Sequence, residues 1–436
     1  MRLSFPPAPS YYAASVASSA TLAIDVARPP RGTLRGEHRA DVVVLGGGIA
    51  GCSAALHLAQ RGYQVTLLEA RVVGFGASGR SGGQTIFGLA TSQKALIGQV
   101  GRDDARRMFD MSIEALDLTR SLISDYAIDC DYRANHVHVA TKPRHLVELD
   151  EWARELHQDY GYTSAQLLNR EELRAHVQSD RYLGGLIDSR SGHLHPLKFT
   201  RGVARAAEDA GVEIFENSAV LRYEDGADVL VHTAQGSVRC AHLVLCANAY
   251  IGDVAPALAR RILGVGTYII ATEPLQEERL QALLPSNAAI ADINWILDYF
   301  RRSADHRLLF GGRVSYSAVQ PPRLGETMRR RMLRIFPALA DVKVDYAWGG
   351  YLDITMSRAP DFGRLSPNVF YLQGFSGHGM TLTGLAGKLV AEAIAGTAER
   401  FDVFARIPHR DFPGGRLLRR PSLMMAMLYY RLRDLL

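Results

Sequence analysis

Three glycines near the start of the chain have the spacing of a phosphate-binding turn. Gly46, Gly48 and Gly51 follow a short apolar run at 41–45 and open a stretch of small residues that ends at Gly62. An apolar run bounded by glycine is typical of a buried parallel strand, and the small residues that follow favour a helix. At such a turn the backbone approaches a pyrophosphate, and the first N–H groups of the helix donate to it. The motif therefore predicts a dinucleotide site.

A carboxylate at the end of the next predicted strand extends this motif. Residues 64–69 form that strand, and Glu69 is its last residue. From that position a carboxylate can hold ribose hydroxyls and would repel a 2′-phosphate. Strand, helix and strand together make one βαβ unit. FAD and NAD both bind to such a unit, so this motif alone leaves both open.

Two further glycine-rich segments favour FAD. Residues 74–84 are dense in glycine and small hydroxyl residues, so their backbone can run against a flat or anionic ligand, although a flexible surface loop is the alternative interpretation. Residues 374–381 follow the apolar run 369–372 and open a predicted helix, which aims N–H groups and a dipole at a ligand. In a flavoprotein that positive end would stabilise negative charge on the reduced ring. His378 lies in this turn, either beside the ligand or as a structural cap.

Together these motifs resemble the D-amino-acid-oxidase-type FAD-dependent oxidoreductases, the group that contains glycine and sarcosine oxidases. Within that group the chain is more similar to the γ-glutamylputrescine oxidases. The likeness keeps its order over nearly the whole chain. The segments that carry it are residues 10–15, 74–80, 129–133, 192–197, 297–301, 375–379, 412–416 and 429–434.

The resemblance implies FAD as the cofactor and indicates which residues would contact it. Val220 would touch the adenine through its backbone, and Ala247 and Asn248 would form a wall of the site. Gly350 and Asp353 would lie near the isoalloxazine, with His378 beside the ring. The complete set of predicted cofactor-binding residues is Gly46, Gly48, Ile49, Ala50, Gly51, Glu69, Ala70, Arg71, Gly76, Ala77, Ser78, Arg80, Ser81, Gly82, Gly83, Gln84, Val220, Ala247, Asn248, Gly350, Asp353, Gly377, His378, Gly379, Met380 and Thr381.

We expect the FAD to be bound noncovalently. Related enzymes attach flavin to a cysteine late in the chain or to a histidine early in it. No cysteine follows Cys246, and no histidine lies between Glu69 and Gln84.

The reaction that the resemblance implies is the oxidation of an amine, γ-glutamylputrescine or a similar polyamine derivative. An amine carbon gives hydride to the flavin, water hydrolyses the resulting imine to an aldehyde, and O2 takes the electrons with release of H2O2. A quinone is the alternative electron acceptor.

Three residues are candidates for contact with the substrate. His378 would orient the substrate or act electrostatically, and Tyr299 would line the pocket unless its aromatic strand belongs to the core. Arg313 and the segment 135–138 depart from the pattern of the γ-glutamylputrescine enzymes. Arg313 would pair with a substrate carboxylate or form a surface salt bridge. The first case would favour an oxidase or dehydrogenase of a secondary or N-methyl amino acid, of the pipecolate or sarcosine type. A third hypothesis is a non-catalytic flavin-binding partner subunit.

The order of predicted elements indicates an α/β fold with a second domain of α+β type. A Rossmann-type FAD-binding domain is assembled from discontinuous segments, and a mostly antiparallel substrate domain is inserted between them. The predicted segments are an N-terminal arm at 1–37, the FAD-binding domain at 38–92, 193–252 and 346–410, the substrate domain at 93–192 and 253–345, and a C-terminal tail or helix at 411–436.

Composition and charge argue against several other classes of protein. The net charge of +5 is mild for 436 residues, and neither zinc-finger spacing nor an RNP-type motif occurs, so no nucleic-acid partner is expected. No metal is expected, because His193 and His195 lack a third ligand. The cysteines form no C-x-x-C pair and indicate buried free thiols in a reducing compartment. They are Cys52, Cys130, Cys240 and Cys246.

Both ends of the chain are expected to lie outside the two domains. Residues 4–24 carry no charge but lack a compact apolar core, so they predict an extended arm rather than a signal peptide or a membrane span. The cytoplasm is the expected location, and a monomer or homodimer the expected state. Residues 423–433 are apolar and then basic, which favours packing against the body or a second subunit, with docking on a membrane near a quinone as the alternative.

Overall fold

The computed structural model describes residues 10–18, 31–315 and 322–414. The strands within these ranges are β1 (Gly36–Leu45), β2 (Val65–Leu68), β3 (Gln84–Thr85), β4 (Arg133–Ala140), β5 (Ala165–Leu168), β6 (Gly184–His193), β7 (Glu213–Phe215), β8 (Arg222–Glu224), β9 (Val229–His232), β10 (Gly236–Leu245), β11 (Leu263–Thr272), β12 (Ala289–Asp292), β13 (Tyr299–Arg302), β14 (Leu308–Ser315), β15 (Val344–Ile354), β16 (Asp361–Ser366) and β17 (Val369–Gln373).

The α-helices of the same ranges are α1 (Tyr11–Ser18), α2 (Ile49–Ala59), α3 (Gln93–Val100), α4 (Arg102–Asp125), α5 (Pro143–Gln158), α6 (Arg170–Leu173), α7 (Pro196–Asp209), α8 (Pro256–Arg261), α9 (Glu277–Leu283), α10 (Leu324–Ile335), α11 (Gly379–Ile394) and α12 (Glu399–Ala405). Short 3₁₀ turns occupy Ala77–Gly79, Asn248–Tyr250 and Pro337–Leu339.

The first sheet contains the predicted βαβ unit. Its strand order is β16-β17-β10-β1-β2-β7, and β9 and β8 extend it from β10. The strands from β17 to β7 run parallel, whereas β16 pairs antiparallel with β17. The second half of β1 and the whole of β2 and β17 are buried, which explains the continuous apolar runs in their sequences.

Helices α2 and α11 pack closely against each other beside this sheet. The hydroxyl of Ser53 donates to the carbonyl of Gly384 at 2.7 Å, and a Cβ on Gly387 would lie 2.5 Å from the backbone nitrogen of Ala54. The two helices follow the parallel strands β1 and β17. Their N termini therefore meet at the carboxyl edge of the sheet, where open α/β sheets bind ligands.

The second sheet is mostly antiparallel and forms the other half of the molecule. Its order is β15-β11-β14-β13-β12-β4-β6-β3, with β5 paired to β6, and only β12 and β4 pair in parallel among its described strands. One face packs on a separate apolar core that includes Val137, Ile290 and Phe300. The predicted fold class, an α/β protein with a mostly antiparallel second sheet, is confirmed.

Of the two predictions about the chain ends, the one for the N-terminal arm is wrong over residues 11–18, and the one for the C-terminal helix is not tested. Residues 11–18 form helix α1, so the prediction of an extended arm is wrong there; Tyr12 is fully buried, with its ring centroid 5.3 Å from that of Trp348. An apolar contact of this kind stabilises a helix that an isolated peptide would not keep. The predicted C-terminal helix lies, from residue 415 onward, outside the described residues.

The predicted domain limits stay a prediction. The strands of the first sheet fall in the predicted FAD-binding segments. However, β3 and β15 also lie in those segments and pair within the second sheet.

Candidate active site

The glycine turn before α2 leaves no room for side chains at two positions. Gly46 has a φ of +110°, and a Cβ there would lie 2.6 Å from the carbonyl oxygen of Cys246. A Cβ on Gly51 would lie 1.9 Å from the carbonyl oxygen of Gly46. Gly48 caps α2 and has no side chain of its own to cover the start of the helix. This geometry is that of a phosphate cradle at a helix N terminus.

Backbone donors hold Glu69 beside this turn. One carboxylate oxygen accepts from the N–H of Gly47 at 2.7 Å, and the other accepts from the N–H of Arg71 at 2.8 Å. Burial raises the pKa of this carboxyl, and the backbone donors oppose that rise. Because each carboxylate oxygen has more than one lone pair, the group can still accept from ribose hydroxyls.

The segment 74–84 lies directly against the turn. The Ser78 hydroxyl accepts from the N–H of Ile49 at 3.0 Å, so the second glycine-rich segment contacts the first helical residue. Arg80 donates through Nε to the carbonyl of Gly349 at 2.7 Å, and Trp348 donates to the carbonyl of Arg80 at 3.0 Å. Burial lowers the pKa of Arg80. These bonds join the segment to β15 of the second sheet.

The start of α11 also lies against this segment. The Ser81 hydroxyl donates to the sulfur of Met380 at 3.4 Å, and the Thr381 hydroxyl donates to the carbonyl of Ile86 at 3.1 Å. The three glycine-rich segments predicted from the sequence therefore converge at one edge of the parallel sheet, although the third lies about 300 residues after the second along the chain.

The remaining predicted cofactor residues surround the same edge. The N–H of Ser218 donates to the carbonyl of Glu69 at 2.8 Å, which joins the segment just before Val220 to the end of β2. The backbone N–H of Cys246 donates to the carbonyl of Leu45 at 2.8 Å and so places Ala247 beside the glycine turn. Contact of these residues with FAD stays a prediction.

Asp353 has a structural function that the sequence does not reveal. Its carboxylate accepts from the Asn248 side chain at 3.2 Å and from the N–H of Gly374 at 2.5 Å. Burial raises the pKa of Asp353 to about 6, and the bond from Gly374 opposes that rise. Asp353 thus joins β15, the 3₁₀ turn at Asn248–Tyr250 and the loop before α11.

Of the two predicted catalytic residues, Tyr299 lies against segment 74–84, and His378 immediately precedes α11. A Cβ on Gly82 would lie 2.6 Å from the ring of Tyr299, which also covers Gly311 of β14. Burial lowers the pKa of His378 to about 4, although a hydrogen bond to the backbone of Phe87 opposes the shift. Burial raises the pKa of Tyr299. Both side chains are therefore uncharged near pH 7, which favours hydrogen bonding or orientation over a charge effect for His378.

Sequence reasoning missed Arg301, which is only 4% exposed. Its guanidinium donates to the carbonyl of Gly82 at 2.8 Å, to that of Leu194 at 2.9 Å and to the hydroxyl of Tyr12 at 3.1 Å. One side chain thus joins β13, the second glycine-rich segment and helix α1. The available signal was an arginine directly after two aromatic residues of a predicted strand, since a buried guanidinium requires several acceptors.

The residues present fit an FAD molecule on two observations. The glycine cradle has positions where a Cβ would collide with the backbone, and the helix N terminus that it precedes suits the pyrophosphate. The side-chain nitrogen of Gln84 is buried without a hydrogen-bond partner in the described structure, so it has a donor to offer to a ligand.

Several other predictions can be placed. Arg313 lies in β14, but its side chain falls outside the described part of the structure. The four cysteines are buried free thiols, as predicted. In the described ranges, no three His, Cys, Asp or Glu side chains gather as a metal site. No helix of those ranges has the length and apolar character needed to cross a membrane.

Comparison with known proteins agrees with this geometry. The family model described as FAD dependent oxidoreductase matches residues 41–393. The chain belongs to this family. It is 44% identical over 426 residues to "Gamma-glutamylputrescine oxidoreductase" of Escherichia coli, a match that covers 98% of each chain. It is 43% identical to "Probable oxidoreductase OrdL" of Haemophilus influenzae, over 91% of this chain and 92% of the relative.

Solved structures of this family share the fold. The glycine oxidase of Bacillus cereus superposes with a TM-score of 0.69 at 20% sequence identity, over 85% of this chain and 99% of the other. The family model and the two relatives confirm the resemblance to an FAD-dependent oxidoreductase of the D-amino-acid-oxidase type. The protein is an FAD-dependent oxidoreductase.

Proposed function

We propose that this FAD-dependent oxidoreductase oxidises γ-glutamylputrescine or a closely similar N-acylated diamine. The observation that carries the proposal is the 44% identity, over 98% of both chains, to the Escherichia coli γ-glutamylputrescine oxidoreductase. When bound, FAD would accept the hydride from the carbon beside the terminal amino group, and water would hydrolyse the resulting imine to the aldehyde and ammonia. We further propose that O2 reoxidises the flavin, with H2O2 as the second product.

When bound, FAD supplies the two-electron acceptor for this reaction. The residues of the chain hold and shield the reactants. The cradle at Gly46–Gly51 and the carboxylate of Glu69 would hold the dinucleotide part, and residues 80–84 and 377–381 would border the ring. We propose noncovalent attachment, because no cysteine lies in either of these ring-proximal segments.

The side chains near the predicted ring position favour an uncharged amine. Hydride loss requires a lone pair on nitrogen, so the substrate must react in its unprotonated form. His378 and Tyr299 are both uncharged at neutral pH, and a desolvated site disfavours the ammonium form. We propose that His378, held by the backbone of Phe87, orients the amine, and that Tyr299 forms the opposite wall.

The test is anaerobic reduction of the purified flavoprotein. We expect γ-glutamylputrescine to bleach the flavin absorption, and readmission of air to restore it with a stoichiometric amount of H2O2. Bleaching by sarcosine or pipecolate, but not by γ-glutamylputrescine, would overturn the substrate assignment. Reoxidation by a quinone but not by air would overturn the acceptor. A flavin that no amine reduces would leave only the partner-subunit hypothesis.

A further inference from the structure

A buried cation without a counter-ion lies against the segment that is proposed to border the flavin ring. Arg301 is only 4% exposed, and among the described residues no carboxylate forms an ion pair with its guanidinium. Asp305, on the turn that follows β13, pairs with Arg307 at 2.8 Å instead. Buried charges are nearly always paired, because an uncompensated charge keeps a large desolvation cost. The unpaired guanidinium therefore indicates that negative charge arises near it when a ligand is bound.

The fold holds this guanidinium entirely with neutral acceptors. The carbonyls of Gly82 and Leu194 accept from it at 2.8 and 2.9 Å. The carbonyl of Arg302 and the hydroxyl of Tyr12 accept at 3.2 and 3.1 Å. These bonds satisfy the N–H groups of Arg301, but none of them neutralises its charge.

The ionisable side chains around the guanidinium are uncharged at pH 7. Burial, and then the charge of Arg301, lowers the pKa of His193 to about 3 and that of His195 well below its usual range. Burial raises the pKa of Tyr12 and of Tyr299, although the charge of Arg301 opposes both shifts. Arg301 therefore supplies the net charge of this neighbourhood.

The register of β13 directs this charge toward the proposed ring position. Phe300 packs in the apolar core of the second sheet, so Tyr299 and Arg301 project from the opposite face of the strand. The ring of Tyr299 lies 2.6 Å from the position of a Cβ on Gly82, and Nε of Arg301 donates to the carbonyl of the same glycine. Two side chains of one face thus contact the segment that would border the ring.

The proposed reaction creates negative charge at that position. A hydride carries two electrons and a proton, so its transfer oxidises the amine carbon by two electrons and leaves one positive charge on the substrate. Bound FAD would be reduced by the same two electrons and would gain one negative charge. In a buried site a cation attracts such a charge across several ångströms, because little solvent screens it.

We propose that Arg301 raises the reduction potential of bound FAD by stabilising the negative charge of its reduced form. Arg301 acts across segment 80–84 and does not touch the reacting atoms. It adds a full charge to the partial positive charge at the N terminus of α11. The inference rests on the proposed position of the ring and is independent of which amine is oxidised.

The experiment separates the charge of Arg301 from its hydrogen bonds. Arg301→Gln removes the charge and keeps an N–H donor, whereas Arg301→Lys keeps the charge and makes fewer bonds. Each variant is saturated with FAD, and its two-electron potential is measured together with its affinity for sulfite, which adds to oxidised flavin and makes the ring anionic. We expect Arg301→Gln to bind sulfite at least about tenfold more weakly and to lower the potential by about 30 mV or more, since about 30 mV corresponds to tenfold for two electrons. Arg301→Lys should stay within about threefold of the wild-type sulfite affinity.

The matched control is Arg302→Gln. Arg302 is the next residue of β13, projects from the opposite face and donates to the carbonyl of Leu284 at 3.2 Å. Its loss removes the same charge from the same strand and should alter neither the potential nor the sulfite affinity. A shift as large as that of Arg301→Gln would overturn the proposal, because a change in overall charge would then explain both.

Other outcomes would overturn the proposal as well. A wild-type potential in Arg301→Gln would do so, and so would equal shifts in Arg301→Gln and Arg301→Lys, which would assign the effect to the geometry of Gly82. If Arg301→Gln does not retain FAD, the wild type decides: its FAD should bind sulfite at least about tenfold more tightly than free FAD, and equal affinity would refute the idea. These measurements need no amine, so a wrong substrate assignment would leave the inference standing. Bleaching by γ-glutamylputrescine, with an unchanged potential in Arg301→Gln, would overturn this inference alone.

Discussion

Replacement of Gly51 by alanine should disrupt the phosphate cradle more than any similar change outside it. The new Cβ would lie 1.9 Å from the carbonyl oxygen of Gly46, whereas ordinary contact begins at about 3.4 Å, so α2 would have to move by about 1.5 Å. That movement is opposed on the other side of the helix, where Gly387 of α11 already lies against the backbone of Ala50 and Ala54.

The expected magnitude follows from this conflict. Overpacking of a well-packed interior costs about 1–3 kcal/mol. The displaced atoms include the N–H groups that would donate to the pyrophosphate, so part of this cost should also weaken FAD binding. A loss of about 1.4 kcal/mol in binding free energy raises Kd tenfold. We therefore expect Gly51→Ala to lower the free energy of unfolding by about 1–3 kcal/mol and to weaken FAD binding at least about tenfold.

The assay is titration of the apoprotein with FAD, followed by flavin fluorescence, together with urea unfolding of the apoprotein. Gly98→Ala is the matched control, because Gly98 lies within α3 with no atom within 4 Å of its new Cβ. That change should stabilise the helix by about 0.5–1 kcal/mol and leave FAD affinity unaltered. Gly48→Ala is the milder variant, since only the hydroxyl of Ser78, at 2.9 Å, must give way. Wild-type FAD affinity in both Gly48→Ala and Gly51→Ala would refute the cradle.

Four further outcomes are expected. Arg301→Met should lower the free energy of unfolding in urea by roughly 2–5 kcal/mol and reduce FAD retention, because the carbonyls of Gly82 and Leu194 lose their donor. A variant that keeps its full complement of FAD and the wild-type stability would contradict this. Burial, and then the charge of Asp298, raise the pKa of Asp292 to about 7, so the folded state keeps a proton that the unfolded chain releases near pH 4. The wild type should therefore lose stability relative to Asp292→Asn as the pH rises from about 4 to about 7, by up to about 1.4 kcal/mol per pH unit, and parallel urea profiles would refute the shift. Acid precipitation should release all the flavin into the supernatant, whereas yellow colour in the pellet would show covalent attachment. Added FAD, at a hundred times its Kd, should raise the free energy of unfolding of the apoprotein by about 2.7 kcal/mol.

The local motifs of this protein can be recognised in its sequence because each depends largely on residues that are close together in the chain. The glycines at positions 46 and 51 follow from the turn itself, since Gly46 has a positive φ and the nearest atoms that exclude a side chain at Gly51 belong to Gly46. Continuous apolar runs at β1, β2 and β17 reflect burial on both faces, and small residues in α2 reflect its close packing. For this reason the sequence by itself determined the βαβ unit, the position of Glu69 and the class of fold.

Tertiary structure decided which side chains meet across long separations. Arg301 reaches Gly82 over 219 positions and Tyr12 over 289, and no local pattern in either segment records that pairing. Likewise, the neutral state of His378 arises from its burial within the folded protein. Hydrogen-bond satisfaction and desolvation are properties of the assembled surroundings, so they become visible only when both sheets are in place.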